Sequence, residues 1–224
     1  MSRRHIITGA VLLGLSALVS RILGVFRDHF FAVKFGALHG EGIYDLDVYF
    51  AAFRIPDFLY NLLILGTISV AFVPIFTGYL VEGKRKEGFE FVNSVLHLIV
   101  FIMALLAIVV SFFAPWILPW IVPGFSPEEL ALTVSVTRLL LFSPIFFGLS
   151  SVAQSLQTSF QTFFYYSLSL IVYNLSIILG TILFSERYGV YGVAFGVVIG
   201  AFLHFLVQVP ALWKLGYRYA PVCH

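Results

Sequence analysis

Long apolar runs, not alternation, set the pattern of this chain. Residues 6–35 open with the uncharged stretch from Ile6 to Val19. They then admit Arg21, Arg27 and Asp28 before Phe30, Phe31 and Phe35. Residues 44–76 form a second run, broken by Arg54, Pro56, Asp57 and Pro74, and residues 91–119 carry no charge. Residues 130–185 hold one charge, Arg138, and suffice for two spans, 130–156 and 163–185. The polar cluster Gln157, Thr158, Ser159, Gln161 and Thr162 makes the natural turn between them. The last run is 188–213. A bilayer core of about 30 Å takes roughly 20 residues of helix. The pattern therefore predicts an all-α membrane protein with six transmembrane helices and no separate soluble domain.

Composition agrees. Hydrophobic residues make up 60% of the 224, charged residues 11%, and mean hydropathy is +1.00. A soluble domain carries about 25% charged residues, so this chain lacks the polar surface to cover a water-exposed body. A net charge of +2 is too small to suggest nucleic acid. The single cysteine, Cys223, excludes an internal disulfide. Arg3 and Arg4 ahead of an apolar stretch, with Ala17 and Ser20 near a possible cleavage point, also fit a secretory leader. The five further runs make a retained first helix the expectation. Arg3, Arg4, Lys84, Arg85, Lys86, Lys214 and Arg218 fall on one side of the six-span plan, Glu128 and Glu129 on the other. By the positive-inside rule both termini are cytoplasmic. Trp116, Trp120 and Trp213 sit at span ends, where interfacial anchors belong.

The charges inside spans carry the chemistry. An arginine at the bilayer centre costs about 2.5–3.5 kcal/mol on insertion scales. At ~100° per residue, Ser20, Arg21, Gly24, Arg27 and Asp28 share one arc of roughly 120° on the first helix. Asp47, Arg54 and Asn61 are spaced by seven and share a face of the second, with Asp57 close by. Two readings fit. In one, Asp28, Asp47 and Asp57 neutralise the arginines in a structural network. In the other, the arginines line a water-filled cavity for an anion, and Gly24 leaves room beside them. A guanidinium presents a planar fork of donors that matches phosphate. Arg138 lies near enough to a span end to snorkel. Pro56 and Pro74 are kinks or hinges. Gly192, Gly196 and Gly200, four apart, read as a close-packing seam, and His97 and His204 as structural donors. No metal-ligand cluster, cofactor motif or nucleophile–base pair stands out, so no catalytic residue is assigned.

Ser20-Arg21-Ile22-Leu23-Gly24 followed by Arg27-Asp28 resembles the first-helix signature of the MurJ (MviN) lipid II flippases. The stretch from Asp47 to Pro56 resembles the family's second-helix motif, and that from Ser69 to Pro74 its continuation. Ala114-Pro115-Trp116, Pro123-Gly124-Phe125 and Gln208-Val209-Pro210 are similar to later segments. The family sits in the multidrug/oligosaccharidyl-lipid/polysaccharide exporter (MOP) superfamily. The resemblance implies one lobe of a two-lobe transporter in a bacterial cytoplasmic (inner) membrane. Such a transporter flips the undecaprenyl-pyrophosphate-linked peptidoglycan precursor, lipid II, by alternating access.

On this resemblance Arg21 and Arg27 bind pyrophosphate, with Ser20, Arg54 and Asn61 in the same substrate region. Asp28, Asp47, Asp57 and Gly24 form the gating and charge network. The implied partners are lipid II, membrane lipids and a second transmembrane lobe; no cofactor is implied. Relatives carry arginines and an acidic-Gly pair where this chain has Tyr60, Asn61, Leu65 and Gly66, which thins the cationic contact set. The other expectations are a truncated half protein or membrane scaffold, and a drug or cation antiporter lobe of the same superfamily.

Overall fold

The computed structural model describes residues 3–35, 43–62 and 69–220. Its helices are α1 (Arg3–Phe35), α2 (Ile43–Tyr60), α3 (Ser69–Val81), α4 (Arg85–Ile121), α5 (Pro127–Leu140), α6 (Phe142–Ser159), α7 (Phe164–Tyr188), α8 (Val190–Leu206) and α9 (Val209–Lys214). No strand occurs among the described residues. Among the described residues, four stretches are long and apolar enough to cross a membrane: Arg85–Ile121, Pro127–Ser159, Phe164–Tyr188 and Val190–Lys214. With α1, and with α2 and α3 dividing the second apolar run, the architecture is the all-α, six-span lobe that the apolar runs predict. Leu65 and Gly66 lie outside the described residues, as do residues 221–224.

Three spans depart in detail from the pattern, each for a local reason. The second is two helices, α2 and α3, with residues 63–68 between them outside the described set. The fourth bends at Leu141, between α5 and α6. Pro144 has no N–H to offer the Leu140 carbonyl one turn back. The Ser143 hydroxyl donates to that carbonyl instead, at 2.7 Å. The sixth breaks at Val207–Gln208, where Pro210 opens the short α9. In the other direction α4 outruns its apolar core, because Arg85, Lys86, Glu87 and Glu90 are good helix formers. It stops at Val122, just before Pro123-Gly124.

Local signals explain the other ends. At α5 the Ser126 hydroxyl accepts from the Glu129 amide and the Glu129 carboxylate accepts from the Ser126 amide, a closed capping box with Pro127 at the first turn. Between α3 and α4 the exposed Lys84 sits 2.8 Å from Glu82 and holds that carboxyl below its ordinary range. An exposed pair of this kind adds little stability.

Close helix contact, not area alone, holds the bundle. In α7 and α8 the backbones nearly touch. A Cβ at Gly180 would lie 2.4 Å from the Gly196 Cα, and one at Gly192 would lie 2.5 Å from the Ser185 amide nitrogen. The expected glycine seam of α8 thus has its counterpart on α7. Small residues allow this approach, and dispersion and interhelical hydrogen bonds then act where lipid offers no hydrophobic driving force. α1 lies on α7, α2 on α5, and α6 between α4 and α8. The Thr137 hydroxyl ties α5 to α2 through the Ala52 carbonyl at 3.3 Å.

A buried polar chain links α6 to α8 and to the bend before α9. Ser150 Oγ lies 2.6 Å from His204 Nδ1, and Gln208 Nε2 donates to the same oxygen. Gln157 Nε2 donates to Gln208 Oε1 at 2.8 Å. All four residues are buried. Gln157, which the sequence pattern places in a turn, is instead in the last two turns of α6, 1% exposed. The turn itself follows at Phe160–Thr162, with Gln161 at positive φ.

Two stability outcomes follow, both read by thermal melting of the purified chain. Gly180→Leu drives a side chain into the α8 backbone and lowers stability by about 1–3 kcal/mol, whereas Gly124→Ala, with nothing within 4 Å, stays within about 0.5 kcal/mol. Gln208→Leu removes one buried partner each from Ser150 and Gln157, which keep His204 and the Ala153 carbonyl, and destabilises by about 1–3 kcal/mol. Adding Gln157→Leu to it costs less than the sum of the two single changes, because both ends of one bond are then gone.

Candidate functional site

Apolar packing on α1 puts one arginine into the interior edge of the bundle. The seam that α1 turns toward its neighbours is Ser16, Ser20, Gly24, Arg27, Phe31 and Phe35, stepping by three or four residues. Phe31 and Phe35 are buried in a cluster with Val48, Tyr49, Val136, Ile177 and Val193, which fixes the rotation of the helix. Arg27, one turn before Phe31, is carried to the wall of a cavity of about 390 Å³.

The cavity is enclosed by α1, α2, α6, α7 and α8. One wall holds Arg27 and Phe31 from α1, and Tyr49, Phe50, Phe53, Pro56, Asp57 and Tyr60 from α2. The facing wall holds Ser143, Phe147, Ser150, Ser151 and Gln154 from α6, Tyr166 and Tyr173 from α7, and His204 from α8. The Arg27 guanidinium donates from Nε and Nη2 to Asp28 Oδ1 at 3.0 and 2.9 Å, and lies 5.8 Å from the centre of the Phe31 ring. Adjacent helix residues do not face each other, so this pair forms by the long side chain folding back along the helix. Asp28 is itself exposed. Nη1 of Arg27 has no protein partner among the described residues. The cation is oriented, not sealed, and its fork keeps donors for an incoming anion.

The structure divides the polar arc of α1. Ser20, Gly24 and Arg27 are half-buried on the α7 side, while Arg21 and Asp28 are exposed on the other. Ser20 Oγ accepts from Asn174 Nδ2 on α7 at 2.9 Å, and no atom lies within 4 Å of where a Cβ would stand at Gly24. Arg21 does not line the cavity, and among the described residues it has no ion pair or hydrogen bond.

On α2 the division is similar. Val48, Tyr49, Ala51, Ala52, Ile55 and Leu59 are buried, and Asp47, Arg54, Asp57 and Asn61 are exposed. Asp57 reaches the cavity; Asp47, Arg54 and Asn61 do not. Asn61 Nδ2 donates to the Asp57 carbonyl at 2.9 Å, while Asp47 and Arg54 have no partner among the described residues. The structure thus brings Arg27 and Asp57 together at the cavity and leaves Arg21, Asp28, Asp47, Arg54 and Asn61 on open faces. Arg138 braces α4, donating from Nε to the Ser111 carbonyl at 3.1 Å.

Sequence reasoning passed over the facing wall. It read His204 as a structural donor and singled out none of the other cavity-lining residues of α6 and α7. His204 does keep a structural partner in Ser150, yet it also lines the cavity, edge-on to Phe147, Tyr166 and Tyr173 at 5.5, 6.4 and 6.2 Å. The signal that would have found this wall is the polar stripe of α6. Ser143, Ser150, Gln154 and Gln157 recur at helical spacing in an otherwise apolar span. The described residues hold no group of three or more His, Cys, Asp or Glu placed to bind a metal.

Comparison with known proteins places the chain in a family. A sequence model described as "Lipid II flippase MurJ" matches residues 37–224. The chain is 32% identical over 214 residues to a probable lipid II flippase MurJ of Buchnera aphidicola subsp. Acyrthosiphon pisum, covering 94% of this chain and 41% of that protein. It is 32% identical over 216 residues to the lipid II flippase MurJ of Thermosipho africanus, covering 96% of this chain and 43% of that one. A solved structure described as lipid II flippase MurJ in an inward closed conformation superposes with a TM-score of 0.76 at 31% identity. It covers 94% of this chain and 43% of the solved chain. The chain therefore spans about two fifths of the length of the relatives it matches. With more than half of its residues under the family model, and with the relatives' helical architecture, this chain belongs to the MurJ lipid II flippase family.

Proposed function

We propose that this chain is the N-terminal part of a flippase. It moves lipid II across a bacterial cytoplasmic membrane together with a second transmembrane lobe. The observation that carries the reading is Arg27, a cation held on the wall of a cavity among apolar helices, with Nη1 free of protein partners among the described residues. An undecaprenyl-pyrophosphate group is the complementary anion, and the names of the relatives point to the same cargo. Residues 1–224 make one six-span lobe with both termini cytoplasmic. That orientation rests on the basic residues near α4 and α9.

No bond is made or broken in this mechanism. The pyrophosphate enters the cavity and is bound by Arg27, while the prenyl tail stays in the bilayer. Arg21, Asp47, Arg54 and Asn61 face the second lobe across a hydrated cleft. Arg21, Asp47 and Arg54 have no partner of their own among the described residues, and lipid would be a costly one. Asp28 shares the Arg27 guanidinium, so it competes with the phosphate and favours release in one of the two access states. The open faces of α1 and α2 are the surfaces along which the lobes rock.

Two outcomes test this reading. In a chimera, residues 1–224 replace the matching part of the Thermosipho africanus relative, and lipid II flipping is measured in proteoliposomes. The chimera flips; Arg27→Glu in it abolishes flipping, and Arg27→Gln lowers affinity for undecaprenyl pyrophosphate by about tenfold or more, as for loss of a charge-assisted bond. A chimera that still flips at full rate with Arg27→Glu removes the basis of the proposal. Separately, a tag inserted after Gly83 is reached by reagents from the cytoplasmic side only; access from the other side reverses the topology.

A further inference from the structure

Away from the central cavity, a groove of about 650 Å³ opens on the outer face of the bundle, between α4 on one side and α6, α9 and the residues after α9 on the other. Val92, Val152, Ala153, Leu156 and Leu212 are buried beneath it, and Phe101, Trp213 and Tyr219 stand exposed at its margins. Its α4 side is the stripe Val92, Leu96, Val100 and Ala104, stepping by four residues, so it runs along that helix for about 18 Å. One leaflet's share of a ~30 Å hydrocarbon core is about 15 Å.

The groove changes character along its length. The deep end, at Ala104, Leu149 and Phe205, is apolar. At the other end α9 stops at Lys214, Gly216 turns the chain at φ 78°, and the following residues run back beside α4. Arg85, over the Phe89 and Phe160 rings at 5.4 and 5.3 Å, donates to the Leu215 carbonyl. Tyr217 Oη donates to Asn93 Oδ1, and Tyr219 Oη lies 2.6 Å from His97 Nε2. Arg85, Lys86, Lys214 and Arg218 gather at this end, against Glu87 and Glu90. Lys86 is eighteen residues before Ala104, about five whole helical turns, and so stands in line with the groove. Lys86 and Arg218 are exposed and have no ion pair or hydrogen bond among the described residues.

Independently of the reading of Arg27, we propose that this groove binds one anionic diacyl phospholipid from the adjoining leaflet. An acyl chain lies along α4, the glycerol ester meets the His97–Tyr219 pair, and the phosphate sits among Lys86, Lys214 and Arg218. A volume of about 650 Å³ over about 18 Å leaves a channel roughly 6 Å across, too narrow for a helix of about 10–12 Å. A neutral imidazole and a phenol hold two polar protons, and their contact uses one. The other is left for an acceptor, which a phospholipid supplies as its ester carbonyl and a prenyl chain does not. Trp213 at the same margin is an interfacial residue type, which sets the headgroup level, and unpaired cations at that level attract anionic lipid.

The test reads quenching of tryptophan fluorescence in phosphatidylcholine nanodiscs. Trp116→Phe and Trp120→Phe leave Trp213 as the one tryptophan of the chain. Phosphatidylglycerol brominated on its acyl chains is compared, at low mole fraction, with phosphatidylcholine brominated in the same way. The phosphatidylglycerol quenches Trp213 with an apparent affinity about fivefold or more higher, the size expected of one added cation near a membrane surface. Lys86→Gln with Arg218→Gln brings the ratio of the two affinities close to one. Both side chains are exposed, so an unchanged melting temperature separates lost recognition from lost fold. Tyr219→Phe weakens both lipids alike, because both carry the ester. Ala104→Phe, which plugs the deep end, abolishes saturable quenching.

Equal affinity for the two lipids, or an unchanged ratio in the charge variant, overturns the proposal in favour of ordinary boundary lipid. So does quenching indifferent to Ala104→Phe or to Tyr219→Phe. Displacement of the brominated phosphatidylglycerol by added undecaprenyl pyrophosphate overturns it in favour of a prenyl-tail groove, and leaves the reading of Arg27 standing.

Discussion

Every feature of this lobe answers to the difficulty of keeping ionised groups at membrane depth. A guanidinium in lipid is costly, and it is tolerated only beside water, protein or a ligand. Arg27 meets that condition through the cavity, Phe31 and Asp28. Arg138 meets it by bracing a carbonyl of α4. Arg21 and Arg54 meet it with nothing among the described residues, although both sit well inside helices of 33 and 18 residues. The same constraint sets the packing. The outer faces of α4, with Leu98, Phe101, Leu105, Ile108 and Phe112, are apolar and exposed as a lipid-facing surface must be. On α1 and α2, by contrast, Arg21, Asp28, Asp47, Arg54, Asp57 and Asn61 are exposed.

The interior mostly follows a second rule, that buried polar groups are hydrogen-bonded; Gln157 Oε1, Ser167 Oγ and Ser185 Oγ are buried without a partner among the described residues. Where lipid surrounds the fold, serine, glutamine and histidine cannot turn outward to water. They find one another instead, and the chain from Gln157 through Gln208 and Ser150 to His204 is the result. One end of that chain is at the cavity, so the network that ties α6 to α8 also orients a cavity side chain. The tie between the helices and the placing of a cavity side chain thereby depend on the same four residues.

Much of this was legible from the sequence, and the parts that were not have physical causes. Apolar runs gave the spans because length and hydropathy decide insertion. The seven-residue spacing of Asp47, Arg54 and Asn61 placed them on one face, and they share it. The fourth span reads as one run, and its division into α5 and α6 before Pro144 follows from a backbone bond that no hydropathy pattern records. The arc of α1 read as one surface, whereas Phe31 and Phe35 rotate the helix so that only its Ser20–Gly24–Arg27 side turns inward. The wall of α6, α7 and α8 stayed hidden because aromatic and serine residues in a membrane helix look like packing. Their place on the cavity emerges only when three helices, distant in sequence, set Gln154, Tyr166 and His204 in its lining.

The central claim is that the Arg27 guanidinium stands in a wet cavity and not against lipid. It is tested most directly by replacing Cys223 with serine, introducing Arg27→Cys, and measuring reaction with a charged, membrane-impermeant thiol reagent in nanodiscs. The account requires rapid labelling at position 27, slowed by added undecaprenyl pyrophosphate, with no labelling of Phe112→Cys on the lipid-facing side of α4. Labelling at 27 as slow as at 112, or labelling at 27 indifferent to the added pyrophosphate lipid, contradicts it.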